Sequence, residues 1–335
     1  MGAELMFHRF CRRCAEPVCG RDRYCENCGG WVADGLRDHI EVDVGVAAGV
    51  SDRGRRHHRN EDALALRDVD GLRAAPGSAA RGAVLAIVCD GVSSSARPDE
   101  ASETAAEVAA EALVTALRAE GCPAAATRAA IHAAGSAVAE LADCGAAHSS
   151  WAGSAGVSRG APACTFVSAI VSDNAVTVGW VGDSRAYWIP QTHHSSAPAH
   201  GGSVPTRLTS DDSWLAQVIA AGTLSPAQAA ADRRAHAITA WLGDDAGQVN
   251  PHVVTIETDG PGVVVVCTDG LWNYLDTVDE LAAALPAQAL QAPLDAARQL
   301  VEIALNSGGH DNVTVAVLPV VSPGQPAPAR QEGRR

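Results

Sequence analysis

Two apolar runs in the chain end on the same pair of residues. Ala83-Val-Leu-Ala-Ile-Val-Cys leads into Asp90-Gly91, and Gly262-Val-Val-Val-Val-Cys-Thr leads into Asp269-Gly270. A carboxylate at the exit of a buried strand is costly unless a cation or a hydrogen-bond partner receives it. The glycine beside it admits close backbone approach, and its carbonyl can face the same ion. Either segment alone reads better as an ordinary Asp-Gly turn; two in one chain, with more acids elsewhere, weaken that reading sharply. Asp52-Arg-Gly54 leads to Asn60-Glu61-Asp62, and Gly308-Gly309-His310-Asp311-Asn312 stands directly before the apolar run Val313 to Leu318. There the aspartate precedes a strand instead of following one. In an antiparallel sheet the start of one strand lies beside the end of its neighbour. Asp90, Asp269 and Asp311 can therefore share one rim, and a donor set made only of oxygen selects Mg²⁺ or Mn²⁺ over zinc. Cys89 and Cys267, next to these acids, read as small core residues.

The first thirty residues carry a different chemistry. Cys11-Arg-Arg-Cys14 and Cys25-Glu-Asn-Cys28, the latter followed by Gly29 and Gly30, offer four thiolates on two turns. That suits one structural Zn²⁺ in a minimal zinc ribbon. Unmetallated thiols or a redox pair are the alternatives. Cys19 is spare in this arrangement, and the arginines at 9, 12, 13, 21 and 23 leave a docking role open.

The elements that must position the acids follow from periodicity. Alternation or short Val-rich runs predict strands at Ile40 to Ala47, Ala83 to Cys89, Cys164 to Val171, Val176 to Val181, Val253 to Glu257, Val263 to Cys267 and Val313 to Leu318. Helical spacing places Ala105, Val108, Ala112 and Ala116 on one face of a helix over 101–118. It does the same for Leu294, Ala297, Val301 and Leu305 over 294–305. Asn174, in a tight turn between two strands, indicates an antiparallel hairpin. Strict βα alternation is missing, so the expected class is a layered α+β domain, not a doubly wound parallel sheet. The expected division is a zinc-ribbon-like module over 1–35, a catalytic domain over 36–320 and a disordered tail over 321–335, with surface loops at 145–162 and 191–205.

Composition agrees with a globular protein: 47% of residues are hydrophobic, 19% charged and only 4% aromatic, so Ala, Val and Leu must build the core. All 25 basic residues are arginine, and the net charge of −14 disfavours nucleic acid as a partner. No run is long enough to span a membrane, and the polar, arginine-bearing start does not read as a signal peptide, which points to the cytoplasm.

Asn60-Glu61-Asp62, Asp90-Gly91, Gly182-Asp183-Ser184-Arg185, Thr268-Asp269-Gly270 and Gly309-His310-Asp311-Asn312 resemble, in order and approximate spacing, the successive motifs of the type 2C (PPM) metal-dependent protein phosphatases. The likeness extends over roughly residues 40 to 320. It implies an αββα sandwich of two antiparallel sheets flanked by helices. It implies also that two Mn²⁺ or Mg²⁺ ions sit at the acids, Asp90 bridging them, the Gly91 carbonyl on one and Asp269 and Asp311 on the other. Glu61 and Asp62 would stand behind these ligands and hold metal-bound waters, and a bridging water would attack phosphorus in line. Phosphorylated proteins and their Ser/Thr kinases are then the implied partners.

Three positions depart from that pattern. Five residues before Asp62, where relatives often carry a phosphate-gripping arginine, stands His57, within Arg55-Arg56-His57-His58-Arg59. His57 when protonated, or a neighbour such as Arg59, is expected to take over the grip; a solvated basic loop is the alternative. Asp183 matches a usual ligand of a third metal, but Asn273 replaces the other, which weakens that site; alternatively Asp183 is a turn carboxylate paired to Arg185. Val92 follows Asp90-Gly91 where some relatives place a histidine, so no general acid is assigned. The segment from Leu208 to Gly243 resembles the family's flap. Rival readings are a catalytically weak module that binds phosphoproteins or a partner through its zinc ribbon, and a phosphatase for small phosphate esters.

Overall fold

The computed structural model describes residues 38–69, 82–119, 121–146, 160–172, 175–191 and 204–321, with residue 27 and one short antiparallel pair, β1 (Arg9–Phe10) and β2 (Pro17–Val18). Cys11, Cys14, Cys25 and Cys28 lie outside the described residues, as does 322–335.

Two antiparallel sheets face each other. The first runs in the order β11 (Thr206–Arg207), β10 (Arg185–Pro190), β14 (Gly262–Cys267), β15 (Val313–Val320), β4 (Ala48–Asp52) and β3 (His39–Asp43). The second runs β13 (His252–Glu257), β9 (Ala175–Val181), β8 (Phe166–Ser172), β6 (Ala83–Cys89) and β5 (Ala63–Val69). A small pair, β7 (Ala163–Cys164) with β12 (Leu242–Gly243), lies beside them.

Side-chain alternation along the central strands sorts the core into three layers. On β6, Val84, Ala86 and Val88 point between the sheets, where they join Val264 and Val266 of β14 and Leu318 of β15. Leu85, Ile87 and Cys89 point the other way, against Leu113 and Ile131 of α1 (Pro98–Arg118) and α2 (Pro123–Ala146). Val263, Val265 and Cys267 likewise leave the first sheet toward α5 (Asp269–Trp272), α6 (Val278–Ala284) and α7 (Pro293–Asn306), which follow the short helices α3 (Trp214–Ala220) and α4 (Pro226–Ala230) in the chain. The result is the helix–sheet–sheet–helix sandwich expected above. Both faces of β6 and β14 are covered, which is why these strands read as unbroken apolar runs.

Two local expectations shift. The strand expected over 40–47 stops at Asp43, because the chain turns at 44–47, where Gly45 takes φ 82° and its N–H donates to Asp43 Oδ1 at 2.7 Å, and β4 starts only at Ala48. The seam of α1 is also displaced: Ala101, Ala105, Ala109, Leu113 and Leu117 are buried, while Val108, Ala112 and Ala116 are only half-buried. In so alanine-rich a helix, small residues recur on every face, and the two leucines mark the buried one. The hairpin stands, with Ser172 and Ala175 closing it.

Candidate metal and phosphate site

The antiparallel pairing of β14 with β15 sets Cys267 opposite Val315, so the end of one strand and the start of the other share a rim. The end of β6 faces the same place from the second sheet. Asp90, Asp269 and Asp311 accordingly line one cavity of about 530 Å³, with Gly91, Asp183 and Thr165. Backbone pairing between Asp90 and Thr165 fixes the first acid: Thr165 N–H donates to the Asp90 carbonyl at 2.8 Å. Gly270 explains the geometry of the second. A Cβ there would lie 1.9 Å from the Asn312 carbonyl oxygen, so only glycine lets the turn after Asp269 approach the strand start beside Asp311.

Asp62 and Glu61 sit behind this row, both 8% exposed. Asp62 Oδ2 accepts from the Thr268 hydroxyl at 3.0 Å and the Thr314 hydroxyl at 2.7 Å. Glu61 accepts from Arg59 Nε at 3.0 Å and Ser93 Oγ at 2.6 Å. Asn312 holds the whole loop: its Oδ1 accepts from Glu61 N–H at 2.7 Å, and its Nδ2 donates to the carbonyls of Arg53 at 2.7 Å and Arg59 at 3.1 Å.

The basic run is distributed, not gathered. His57 Nε2 lies 3.1 Å from Asp311 Oδ1, Arg59 spans Glu61 and Asp99, and Arg55 donates to Asn306 Oδ1 at 3.2 Å. Arg56 and His58 are exposed. Asp183 is not paired to Arg185 as the alternative had it. Arg185 makes a two-pronged bond to Asp211, at 3.0 and 2.8 Å, and its guanidinium stacks 3.7 Å from the Trp272 ring centre. Asn273 Nδ2 donates to Asp269 Oδ2 at 3.3 Å.

These acids fit a divalent cation. Burial, with the charges of Asp62, Asp269, Asp311 and Asp183 around it, pushes the Asp90 carboxyl well above its usual range. Burial, with Asp269 and Asp211 nearby, raises Asp183 to about 7. Asp62 and Asp269 are raised by burial and by Asp311, and each keeps a buried Oδ1 with no hydrogen-bond partner. Such a group of like charges needs either protons or cations to coexist. Among the described residues, no three His, Cys, Asp or Glu side chains have drawn together into a finished metal-binding group. The acids face a common cavity as separate, mutually repelling carboxylates.

The segment from Leu208 to Gly243 also contributes to the cavity lining. From it His236, Ile238 and Trp241 reach the cavity, joined by Asp245 just after the segment, with Trp241 Nε1 donating to Asp245 Oδ1 at 2.8 Å. None of these four was singled out from sequence, since the segment carries no periodic or strand-end signal; neither was the clamp made by Asn312.

The family description "Protein phosphatase 2C" matches residues 53–303, most of the chain, including Asp90 and Asp269 but ending before Asp311. The chain belongs to the protein phosphatase 2C family. Among curated relatives, serine/threonine protein phosphatase PstP of Mycobacterium tuberculosis is 28% identical over 160 residues, 47% of this chain and 27% of that protein. Protein phosphatase PhpP of Streptococcus pneumoniae is 29% identical over 163 residues, 48% of this chain and 58% of that protein. The match thus spans from about a quarter to little more than half of the relatives' own length. Solved structures share the fold. Stp1 from Staphylococcus aureus superposes with a TM-score of 0.60 at 21% identity, covering 85% of this chain and 98% of that one. The catalytic domain of PstP in complex with two manganese ions gives 0.53 at 24% identity, covering 82% and 97%. The layered protein phosphatase 2C architecture read from the motifs is therefore the architecture present.

Proposed function

We propose that the chain hydrolyses phosphoserine and phosphothreonine in proteins, opposing Ser/Thr kinases, with two Mn²⁺ or Mg²⁺ ions at Asp90, the Gly91 carbonyl, Asp269 and Asp311. The observation that carries this reading is the convergence of three strand ends from two sheets on one cavity, where burial and neighbouring like charges raise Asp90 and Asp269 beside the more exposed Asp311. Bound there, the cations supply positive charge for the phosphoryl oxygens and acidify water at neutral pH. The chain's own residues do the rest. Asp62 is locked by two threonine hydroxyls and leaves Oδ1 free to accept from a water. Glu61, gripped by Arg59 and Ser93, sits beside it to orient that water. His57, on Asp311, and Arg59 are the members of the basic run nearest the acids and are offered as phosphate contacts, with Asp183 as ligand of a weaker third ion.

The same reading assigns residues 1–35 to a zinc-binding module with Cys11, Cys14, Cys25 and Cys28 as ligands, 36–320 to the catalytic domain, and the chain to the cytoplasm. Among the described residues no helix is long and apolar enough to cross a membrane. Elemental analysis of protein purified under reducing conditions should return about one zinc per chain; finding none removes the module. The central test is Mn²⁺-dependent phosphate release from a phosphothreonine peptide, wild type against Asp269→Ala. Wild type should turn over only with metal, and the variant should lose at least about a hundredfold. Absence of metal-dependent turnover on any phosphopeptide would overturn the enzyme and favour a binding module.

A further inference from the structure

Departure of a serine or threonine oxygen from phosphorus leaves an alkoxide, which needs a proton as the bond breaks. Among the described residues, the titratable side chains lining the cavity are Asp90, Asp183, Asp245, Asp269, Asp311 and His236. Four of the five carboxylates are the acids already assigned to cations, and Asp245 accepts from Trp241 Nε1. Ser93, also in the lining, donates its hydroxyl proton to Glu61. His57 is occupied with Asp311, and neither it nor His58 lines the cavity. Among the described residues, His236 alone brings an ionisable N–H to the cavity lining, and it comes from a different segment of the chain than the acids.

Its place is fixed from below. The segment after it pairs antiparallel with the segment before α3 (Trp214–Ala220): Trp214 N–H donates to the Ala237 carbonyl at 2.8 Å, and Thr239 N–H to the Asp212 carbonyl at 2.7 Å. Asp212 in turn exchanges bonds with Gly182, its N–H donating to the Gly182 carbonyl at 2.8 Å and its Oδ2 accepting from Gly182 N–H at 2.9 Å. Gly182 precedes Asp183. A short, fully bonded relay thus registers His236 to the rim that carries the acids, while its ring remains solvent-exposed and able to exchange protons.

We propose that His236 is the proton donor to the leaving oxygen of the phosphorylated residue. This rests on the phosphomonoester reading above. As the P–O bond to the serine or threonine oxygen breaks, its electron pair stays on that oxygen and the imidazolium N–H proton joins it. The attacking water contributes its oxygen to phosphate and one proton to solvent, from which the imidazole is protonated again.

The experiment compares His236→Asn with wild type on two substrates in the Mn²⁺-loaded full chain. A phosphothreonine peptide releases an alkoxide, whereas p-nitrophenyl phosphate releases a stabilised phenolate that needs no proton. The substitution should lower kcat on the peptide about a hundredfold and lower it on the aryl ester at least tenfold less. Equal losses on both substrates, or none on the peptide, overturn the proposal. Manganese affinity by calorimetry and the melting temperature should match wild type; a fall in either assigns His236 a structural role and overturns it too. In the Mg²⁺-loaded protein, the His236 ring resonance, identified by its absence from the variant, should shift on titration with inorganic phosphate. No shift places the ring out of reach. Should wild type turn over neither substrate, the phosphatase reading itself fails, an outcome distinct from turnover without the differential.

Discussion

Asp183→Asn isolates the electrostatic cost of the acid cluster. The side chain is 7% exposed, has no ion pair with Arg185, and titrates at about 7 instead of 3.8 because burial, Asp269 and Asp211 all oppose its charge. Between pH 3.8 and about 7 the native state holds this proton and the unfolded chain has lost it. Stability therefore falls as pH rises through that window and stays low above it. The rise in pKa corresponds to about 4 kcal/mol at full ionisation, an upper bound that relaxation and water reduce to about 1–2 kcal/mol. The asparagine keeps the shape and never ionises. In metal-free protein it should raise the melting temperature at pH 8 by about 2–8 °C, at roughly 2–4 °C per kcal/mol for a domain of this size. At pH 5 the gain should be smaller. Differential scanning calorimetry in EDTA, wild type and variant side by side at pH 5, 6.5 and 8, reads this directly. A variant less stable than wild type at pH 8, or a difference that does not grow with pH, would refute the account of an uncompensated acid cluster.

Asn312→Ala removes three hydrogen bonds and leaves the Glu61 N–H unpaired in a buried loop. It should cost about 2–4 kcal/mol by urea unfolding, and phosphopeptide turnover should fall with it; a loss under about 0.5 kcal/mol would show that the loop holds without the clamp. Gly270→Ala would force a Cβ to within 1.9 Å of a backbone carbonyl, so either Asp269 or the start of β15 must move. A drop of at least about 2 kcal/mol, with weaker Mn²⁺ binding by calorimetry, is expected, and wild-type affinity would contradict the close approach.

Much of the site is legible in the sequence because its signals are local. An Asp-Gly pair closing a Val-rich run states both a strand and the end of it; the two such pairs and Asp311 at a strand start mark the acids, antiparallel pairing brings Asp269 and Asp311 to one rim, and the packing of the second sheet adds Asp90. The turn at Gly45 was hidden by valines on both sides that continue the apolar pattern. The buried face of α1 was obscured because alanine, small enough for the interior and frequent everywhere on this helix, gives little contrast between faces. What the sequence could not disclose were pairings between distant positions. Arg185 stands two residues from Asp183 but chooses Asp211, 26 residues away, because a bidentate fork with an aromatic platform outcompetes a neighbour on a turn. His236 reaches the cavity through a relay of backbone bonds that no periodicity announces.

The hydrogen bonds at Asp62 tie the site to the architecture. Asp62 immediately precedes β5 in the second sheet, whereas Thr268 follows β14 and Thr314 lies in β15, both in the first. Asn60 Nδ2 donates to Ser51 Oγ of β4 at 2.8 Å, which is 2.8 Å from the Thr314 hydroxyl. Because Thr314 donates to Asp62, its oxygen is left to accept from Ser51, and the protons along this chain all point toward the carboxylate. A buried carboxylate so supplied acts as a bolt between the two sheets at the rim where the acids gather. Its remaining oxygen is buried with no hydrogen-bond partner among the described residues. Sheet packing and ligand orientation thus rest on one side chain, so movement between the sheets must also displace the acids.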